Sequence, residues 1–175
     1  MKTQLKEHIF LIGFMGVGKT TTSHALSKLS GAKEFDTDQM IVEQEHKSIP
    51  DIFAEEGEEY FRQRETEILT KLRDLEPGII SCGGGMVMRE VNVDKMKAQG
   101  KIVLLTATPE TIYEHVKDST NRPLLNGNMN IPYITKMMEA RESKYRAAAD
   151  IVIETDGCTP KQVAQKLLEK YAQIG

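Results

Sequence analysis

The stretch GFMGVGKT, residues 13–20, decides the fold of this chain, because it matches the pattern G-x-x-x-x-G-K-[ST] in full. The apolar run His8–Phe14 predicts a buried strand before it, and a helix is expected from about residue 18 to residue 29. Glycines in such a turn let main-chain N–H groups curl around phosphate oxygens, and the helix N-terminus adds its positive end. The segment therefore predicts a phosphate loop that binds a nucleoside triphosphate.

The residue types in this loop also predict their individual tasks. Lys19 is expected to reach the β- and γ-phosphates, and the hydroxyl of Thr20 is expected to bind Mg²⁺. The expected nucleotide-binding residues of the segment are Gly16, Val17, Gly18, Lys19, Thr20 and Thr21.

Short apolar runs alternate with longer amphipathic stretches along the rest of the chain. Pro109 and Pro160 each follow a strand and open a helix, with Thr108 and Thr159 as caps. Strands separated by helices pair in parallel, so the pattern predicts one three-layer α/β/α domain, residues 1–175, around a five-stranded parallel sheet. The predicted strands are residues 8–14, 34–36, 78–82, 101–107 and 151–155, and a helical stretch from about 50 to 75 is expected to break at Gly57.

The bulk composition excludes several classes of partner. The 175 residues carry a net charge of −3, which favours binding to neither nucleic acid nor an anionic membrane surface. No apolar run approaches the roughly 20 residues of a membrane span. The two cysteines, Cys82 and Cys158, do not have a zinc-site spacing and are expected to be free thiols. We therefore expect a soluble cytoplasmic protein, with a monomer as the default state.

The segment 34–38, Glu-Phe-Asp-Thr-Asp, is expected to place acids at the carboxyl edge of the sheet. Open α/β sheets bind their ligands at this edge. Asp36 and Asp38 are two residues apart, so an extended backbone would present both on one face. One could then serve a metal ion and the other a substrate hydroxyl. Alternatively, Asp38 could simply be the N-cap of the next helix.

Three further groups of residues could form a site for a small acid. Arg62 and Glu65 lie at i, i+3, where Glu65 could hold the guanidinium, although such pairs are usually solvated. The triplet Gly83–Gly85 follows a predicted strand and favours close main-chain approach to a ligand over a merely flexible turn. Arg141 and Arg146 lie on the predicted helix before the last strand; they could bind a carboxylate or be solvated.

The segment from about residue 118 to residue 132 does not fit the regular alternation. It is rich in turn formers, and loops of this length are uncommon in compact domains unless they are lids or disordered. Arg122 and the apolar pair Leu124-Leu125 favour a lid, since a solvated surface loop, the alternative, has little use for them.

Together these motifs resemble the shikimate kinase family nearly from end to end. The matching motifs, in chain order, are the phosphate loop, Asp-x-Asp, Gly-Glu-x-x-Phe-Arg-x-x-Glu, Gly-Gly-Gly, Arg-Pro-Leu-Leu and Arg-x-x-x-Tyr-Arg. The resemblance implies a P-loop kinase fold with a lid at about 118–132 and a substrate-binding region at about 38–75. It implies ATP-dependent phosphorylation of the 3-hydroxyl of shikimate, a step of aromatic amino acid biosynthesis.

The resemblance also implies residue roles. Asp38 resembles the family's base for the attacking hydroxyl, and Lys19 and Arg122 would act on the transferred phosphoryl group. Asp36 and Thr20 would serve Mg²⁺. The residues expected to hold shikimate are Asp38, Arg62, Gly83, Gly84, Gly85 and Arg141. In this family, basic residues often flank adenine, one shortly before the lid and one after the last strand; here the segments 116–118 and 155–160 contain no arginine.

Rival interpretations share part of this pattern. A gluconate-type or nucleoside monophosphate kinase would also carry the phosphate loop and lid, and a nucleotide-binding switch or an inactive relative would need only the loop. The pair Asp36 and Asp38 together with Arg62 favours the shikimate kinase interpretation, but the sequence leaves shikimate, quinate and an amino analogue open as acceptors.

Overall fold

A parallel sheet of five strands forms the centre of the computed structural model, which describes residues 4–117 and 130–174. The spatial order of the strands is β2-β3-β1-β4-β5, and every pair is parallel. The five-stranded parallel sheet that the sequence predicts is confirmed. The strands are β1 (His8–Ile12), β2 (Lys33–Asp36), β3 (Gly78–Ser81), β4 (Gly100–Thr106) and β5 (Ile151–Glu154).

Helices cover both faces of this sheet. Their bounds are α1 (Lys19–Ser30), α2 (Thr37–Glu45), α3 (Ile49–Glu56), α4 (Glu58–Leu72), α5 (Glu90–Gln99), α6 (Pro109–Val116), α7 (Ile131–Ala148) and α8 (Pro160–Ile174), with a short 3₁₀ turn at Met86–Met88. Helices α1 and α8 pack together and against the sheet, whereas α5 and α7 contact β4 and α4 packs on α5. The arrangement is the predicted three-layer α/β/α sandwich.

The central strand β1 explains why the site forms where it does. All five of its residues are buried, as expected for a strand that pairs on both edges and is covered on both faces. Because the strands are parallel, their carboxyl ends meet at one edge of the sheet. The segments that follow β1, β2 and β3 are therefore brought together there: the phosphate loop, the acids at Asp36 and Asp38, and the glycine triplet.

The structure confirms the predicted caps and corrects some helix boundaries. Thr108 accepts the N–H of Thr111 at 3.3 Å, and Thr159 accepts that of Gln162 at 3.2 Å. The break at Gly57 is confirmed, with φ at 91° between α3 and α4. Helix α2 lies within the expected substrate-binding region at about 38–75, but α5 was not predicted. Helix α5 buries only Asn92 and Met96, so it lacks the apolar periodicity that would have marked it.

Most of the predicted lid, including Arg122, lies outside the described residues. In the part of the chain that is described, no helix is both long and apolar enough to cross a lipid bilayer.

Candidate active site

The phosphate loop leaves β1 and enters α1 through glycines in the left-handed region. Gly16 has φ 84° and Gly18, the N-cap of α1, has φ 101°. A Cβ at Gly16 would also lie 2.5 Å from a methyl group of Val116, so both conformation and space require glycine there. Among the residues that the structure describes, no side chain caps the N-terminus of α1. Its first N–H groups are thus available for an anionic ligand.

Lys19 lies along the inside of this loop. Its Nζ donates to the carbonyl oxygens of Gly13 at 2.8 Å and Phe14 at 3.2 Å. The loop borders a cavity of about 380 Å³, which also receives the ends of β2 and β3. The cavity is lined by Met15, Gly16, Gly18, Lys19, Thr20, Thr21, Asp36, Asp38, Ser81, Cys82, Gly83, Gly84 and His115.

Val17 is placed differently from the other predicted nucleotide-binding residues of the loop. Its side chain is buried and lines a second cavity of about 270 Å³ behind the loop, together with Phe14 and Tyr145. The side chains of Thr20 and Thr21, in contrast, line the first cavity.

The two aspartates reach the first cavity by a different route from the predicted one. Asp36 ends β2 and is the N-cap of α2, where its Oδ1 accepts the N–H of Gln39 at 3.1 Å. Asp38 lies in the first helical turn, so the extended-backbone argument was wrong, and the capping residue is Asp36 rather than Asp38. The sequence prediction failed because the chain turns into α2 directly after Asp36. Both carboxylates nevertheless line one cavity.

The oxygen donors near the phosphate loop suit a magnesium ion. The hydroxyl of Thr20 and the carboxylate of Asp36 line the same cavity, and Gln39 uses only one of the several acceptor sites of that carboxylate. Within residues 4–117 and 130–174, no cluster of three or more His, Cys, Asp or Glu side chains forms a complete metal cage. Mg²⁺ is usually held by one or two protein groups together with substrate phosphates, and Thr20 and Asp36 could supply those groups.

Arg62 and Glu65 form a buried ion pair on α4, not the solvated pair that their spacing alone would favour. Arg62 Nη1 lies 2.8 Å from Glu65 Oε1, and the two side chains are 13% and 0% exposed. Glu58 adds a second carboxylate at 3.2 Å from Arg62 Nη2. Burial disfavours the charged guanidinium, but Glu65 and then Glu58 outweigh burial and raise the pKa of Arg62.

Glu65 was predicted only as a possible support for Arg62, and its full burial could not be inferred from spacing. The pKa of its carboxyl is raised to about 7, mainly by burial. The charge of Arg62 opposes this rise, and the nearby charge of Asp38 adds to it. Its Oε2 is buried without a hydrogen-bond partner among the described residues.

The glycine triplet is required by space, because polar side chains surround it on all sides. A Cβ at Gly83 would lie 2.7 Å from an oxygen of Asp38, and one at Gly84 would lie 3.1 Å from Arg141 Nη1. A Cβ at Gly85 would lie 2.6 Å from the Cζ atom of Arg62. The main chain at 83–85 is thus in contact with the predicted acceptor-binding side chains. This favours the predicted close approach over a flexible turn.

Helix α7 contributes one half-buried and one exposed arginine. The guanidinium of Arg141 lies 5.9 Å from the centre of the Phe14 ring, and its buried Nη1 has no hydrogen-bond partner in the described part of the chain. Arg146 is exposed and pairs with Glu142 at 2.9 Å. Arg141, which the resemblance assigns to shikimate, therefore lies against the glycine loop, whereas Arg146 lies at the surface.

Three contacts were missed by sequence reasoning. His115 donates from Nδ1 to Gly16 O at 2.5 Å, and Thr37 accepts the N–H of Gly83 at 3.0 Å. Tyr145 donates its hydroxyl to Gly84 O at 2.5 Å. No spacing rule connects these pairs, since each joins segments that are far apart in sequence.

Comparison with known proteins agrees with this geometry. The family model described as shikimate kinase matches residues 15–172. A shikimate kinase from Dehalococcoides mccartyi is 40% identical over 170 residues, 97% of this chain and 96% of that protein. The solved structure of "Shikimate kinase from Acinetobacter baumannii in complex with shikimate" superposes with a TM-score of 0.91 at 32% identity, covering 96% of this chain and 94% of the other. The shikimate kinase of Aquifex aeolicus gives a TM-score of 0.83 at 35% identity, covering 95% and 97%. With a family model that matches residues 15–172 and a relative 40% identical over nearly the whole chain, this chain belongs to the shikimate kinase family.

Proposed function

We propose that this protein transfers the γ-phosphoryl group of ATP to the 3-hydroxyl of shikimate, giving shikimate 3-phosphate and ADP. The observation that carries the proposal is a single cavity that joins a phosphate loop to an acidic residue and a glycine loop, with two half-buried arginines against the glycine loop. A small hydroxy acid has the two groups that such a cleft would recognise, a carboxylate for the arginines and a hydroxyl for the acid.

On the nucleotide side, we assign the terminal phosphates of ATP to the main chain of residues 16–20 and to Lys19. The charge that develops on the transferred phosphoryl group is stabilised by preorganised donors rather than by covalent chemistry. Mg²⁺ would be held by Thr20 and Asp36, where it would neutralise phosphate charge. Arg122, outside the described residues, is assigned to the same phosphoryl group from the sequence alone.

On the acceptor side, Arg62 and Arg141 are assigned to the carboxylate of shikimate. Arg141 has a buried nitrogen with no partner among the described residues, and the ion pair with Glu65 holds Arg62 in place. Asp38 is assigned as the base that accepts the proton of the attacking hydroxyl. Main-chain groups of the glycine loop orient the ring between these side chains, so the reactants meet in one geometry.

The proposal includes a monomer in the cytoplasm. Both cysteines are free, Cys82 buried and Cys158 partly exposed, which is consistent with a reducing compartment. Light scattering of the purified protein measures the oligomeric state directly, and a stable dimer would contradict the monomer.

The function is tested by measuring ADP release with shikimate, quinate, gluconate and nucleoside monophosphates as acceptors. We expect shikimate to give the highest kcat/KM. Preferred turnover of gluconate or of a nucleotide would overturn the acceptor assignment. ATP binding without ADP release on any acceptor would identify a nucleotide-binding relative that has lost activity.

A further inference from the structure

Tyr145 connects helix α7 to the glycine loop. Its hydroxyl donates to the carbonyl oxygen of Gly84 at 2.5 Å, and the residue is only 5% exposed. Tyr145 follows Arg141 by one helical turn, so the two side chains leave α7 on the same face. The tyrosine thus contacts the same short piece of main chain that lies against the guanidinium of Arg141.

The contact controls how close Gly84 lies to Arg141. A Cβ at Gly84 would be 3.1 Å from Arg141 Nη1 and 3.6 Å from the Tyr145 hydroxyl oxygen, so both side chains pack directly on this residue. The carbonyl of Gly84 belongs to the glycine loop, and the guanidinium of Arg141 belongs to α7. The hydrogen bond that the Tyr145 hydroxyl donates joins these two elements directly.

Packing alone does not fix the tyrosine ring. One side of Tyr145 borders the cavity of about 270 Å³ behind the phosphate loop, where Phe14, Val17 and Met138 also lie. A ring with space beside it can shift, because a cavity wall supplies no contacts that oppose the movement. The hydrogen bond to Gly84 therefore acts together with the neighbouring Arg141 side chain in holding the ring and the loop in register.

The hydroxyl remains a donor across the working pH range. Burial raises the pKa of Tyr145 above its ordinary value, although Arg141 acts in the opposite direction. Deprotonation would place an anion against a carbonyl oxygen, which is unfavourable in a buried position.

We propose that Tyr145 is a positioning residue for the acceptor, which sets the distance between the glycine loop and Arg141 through its hydrogen bond to Gly84. This inference rests on the proposed function, because it assigns Gly84 and Arg141 to the binding of shikimate. Tyr145 itself is not expected to touch the reacting atoms.

The test compares Tyr145→Phe with Tyr171→Phe. Tyr171, on α8, is also a buried tyrosine, and its hydroxyl donates to Glu7 at 3.2 Å instead of to a residue of the site. Loss of one buried hydrogen bond corresponds to a change of about five- to tenfold. We expect KM for shikimate to rise by about that factor in Tyr145→Phe, with KM for ATP and kcat changed less than about twofold. Tyr171→Phe should change none of the three.

Gly84→Ala acts on the other end of the same contact and provides a second measurement. Its methyl group would press on Arg141, so KM for shikimate should rise while KM for ATP does not. Melting temperatures of all variants separate this effect from loss of folded protein. Equal shikimate constants in Tyr145→Phe and Tyr171→Phe, with an active wild type, would overturn the role of Tyr145 and leave the proposed function intact. A wild-type enzyme inactive on shikimate would overturn both.

Discussion

The phosphate loop and the acceptor pocket meet in one cleft, but they are built in opposite ways. The loop is a single run of eight residues, to whose main-chain groups and one lysine we assign the binding of the nucleotide. The acceptor pocket combines α2, α4, the glycine loop and α7, and its charged groups are buried against each other. A local motif needs only its own strand and helix, whereas a pocket assembled from distant segments depends on how the whole domain packs. The two sides should therefore respond differently to substitution.

The largest expected effect is on the nucleotide side, from Lys19→Met. Loss of the charge that faces the terminal phosphates should reduce kcat by about 10³-fold or more, with little change in melting temperature. Coupled measurement of ADP release gives the rate. Lys28→Met, an exposed substitution on the same helix, is the control and should remain active. Near-normal turnover of Lys19→Met would remove the phosphate-loop assignment.

Asp38→Asn tests the point at which the two sides meet. A general base contributes at least about 10²-fold to a rate, so kcat should fall by that factor while both KM values change little. Because Asp36 rather than Asp38 caps α2, the helix should keep its cap and the fold should be preserved. Asp94→Asn, on the exposed face of α5, is the matched control. A fully active Asp38→Asn enzyme would return this residue to a purely structural role.

Arginine substitutions test the acceptor side alone. Arg62→Ala and Arg141→Ala should raise KM for shikimate by roughly 10- to 100-fold, the effect of losing a charge-assisted hydrogen bond, and leave KM for ATP nearly unchanged. Arg146→Ala, on the surface of α7, should do neither. Unaltered shikimate constants in both variants would show that the carboxylate binds elsewhere.

The two arginine variants should differ from each other in stability. Arg62→Ala leaves Glu65 buried without its partner and should lower the free energy of unfolding by about 3 kcal/mol. Arg141 forms no ion pair with a carboxylate in the described part of the chain, so the melting temperature of Arg141→Ala should stay closer to that of the wild type.

The smallest expected effect is a pH dependence at Glu65. Its pKa is raised to about 7 from 4.5, so the stability it contributes is fully present below pH 4.5 and is lost as the pH rises through 7. Glu65→Gln lacks this titration. The melting temperature of the variant relative to the wild type should therefore rise by roughly 5 °C between pH 5 and pH 8. Glu67→Gln, an exposed position on the same helix, should give a constant difference, and a constant difference for Glu65→Gln would contradict the raised pKa.

The sheet and the phosphate loop could be predicted from the sequence because each depends on a local sequence pattern. Apolar runs mark the strands, and the loop pattern fixes its own geometry. The prediction failed at Asp36 and Asp38 in detail, since the start of α2 depends on how that helix docks on α4. Tyr145 and His115 could not be assigned because their partners are 61 and 99 residues away in sequence.

Helix α4 shows this limit within one element. Arg62–Glu65 and Arg64–Glu67 have the same i, i+3 spacing, and both pairs form, at 2.8 Å and 2.9 Å. The Glu65 side chain is 0% exposed and that of Glu67 is 49% exposed. The Arg62–Glu65 pair lies on the face of α4 that packs toward the glycine loop, whereas the Arg64–Glu67 pair lies at the surface. Tertiary packing, which the i, i+3 spacing does not record, produces this difference.

The position of Arg141 and Tyr145 has a consequence for protein engineering. Most acceptor-side residues lie between Asp36 and Gly85, which makes this segment an attractive unit to exchange between kinases of the same fold. Yet the glycine loop is held from outside the segment by α7. In a chimera that imports residues 36–85 alone, the glycine loop would come from one kinase and α7 from the other. New acceptor specificity should therefore require grafting α7 as well.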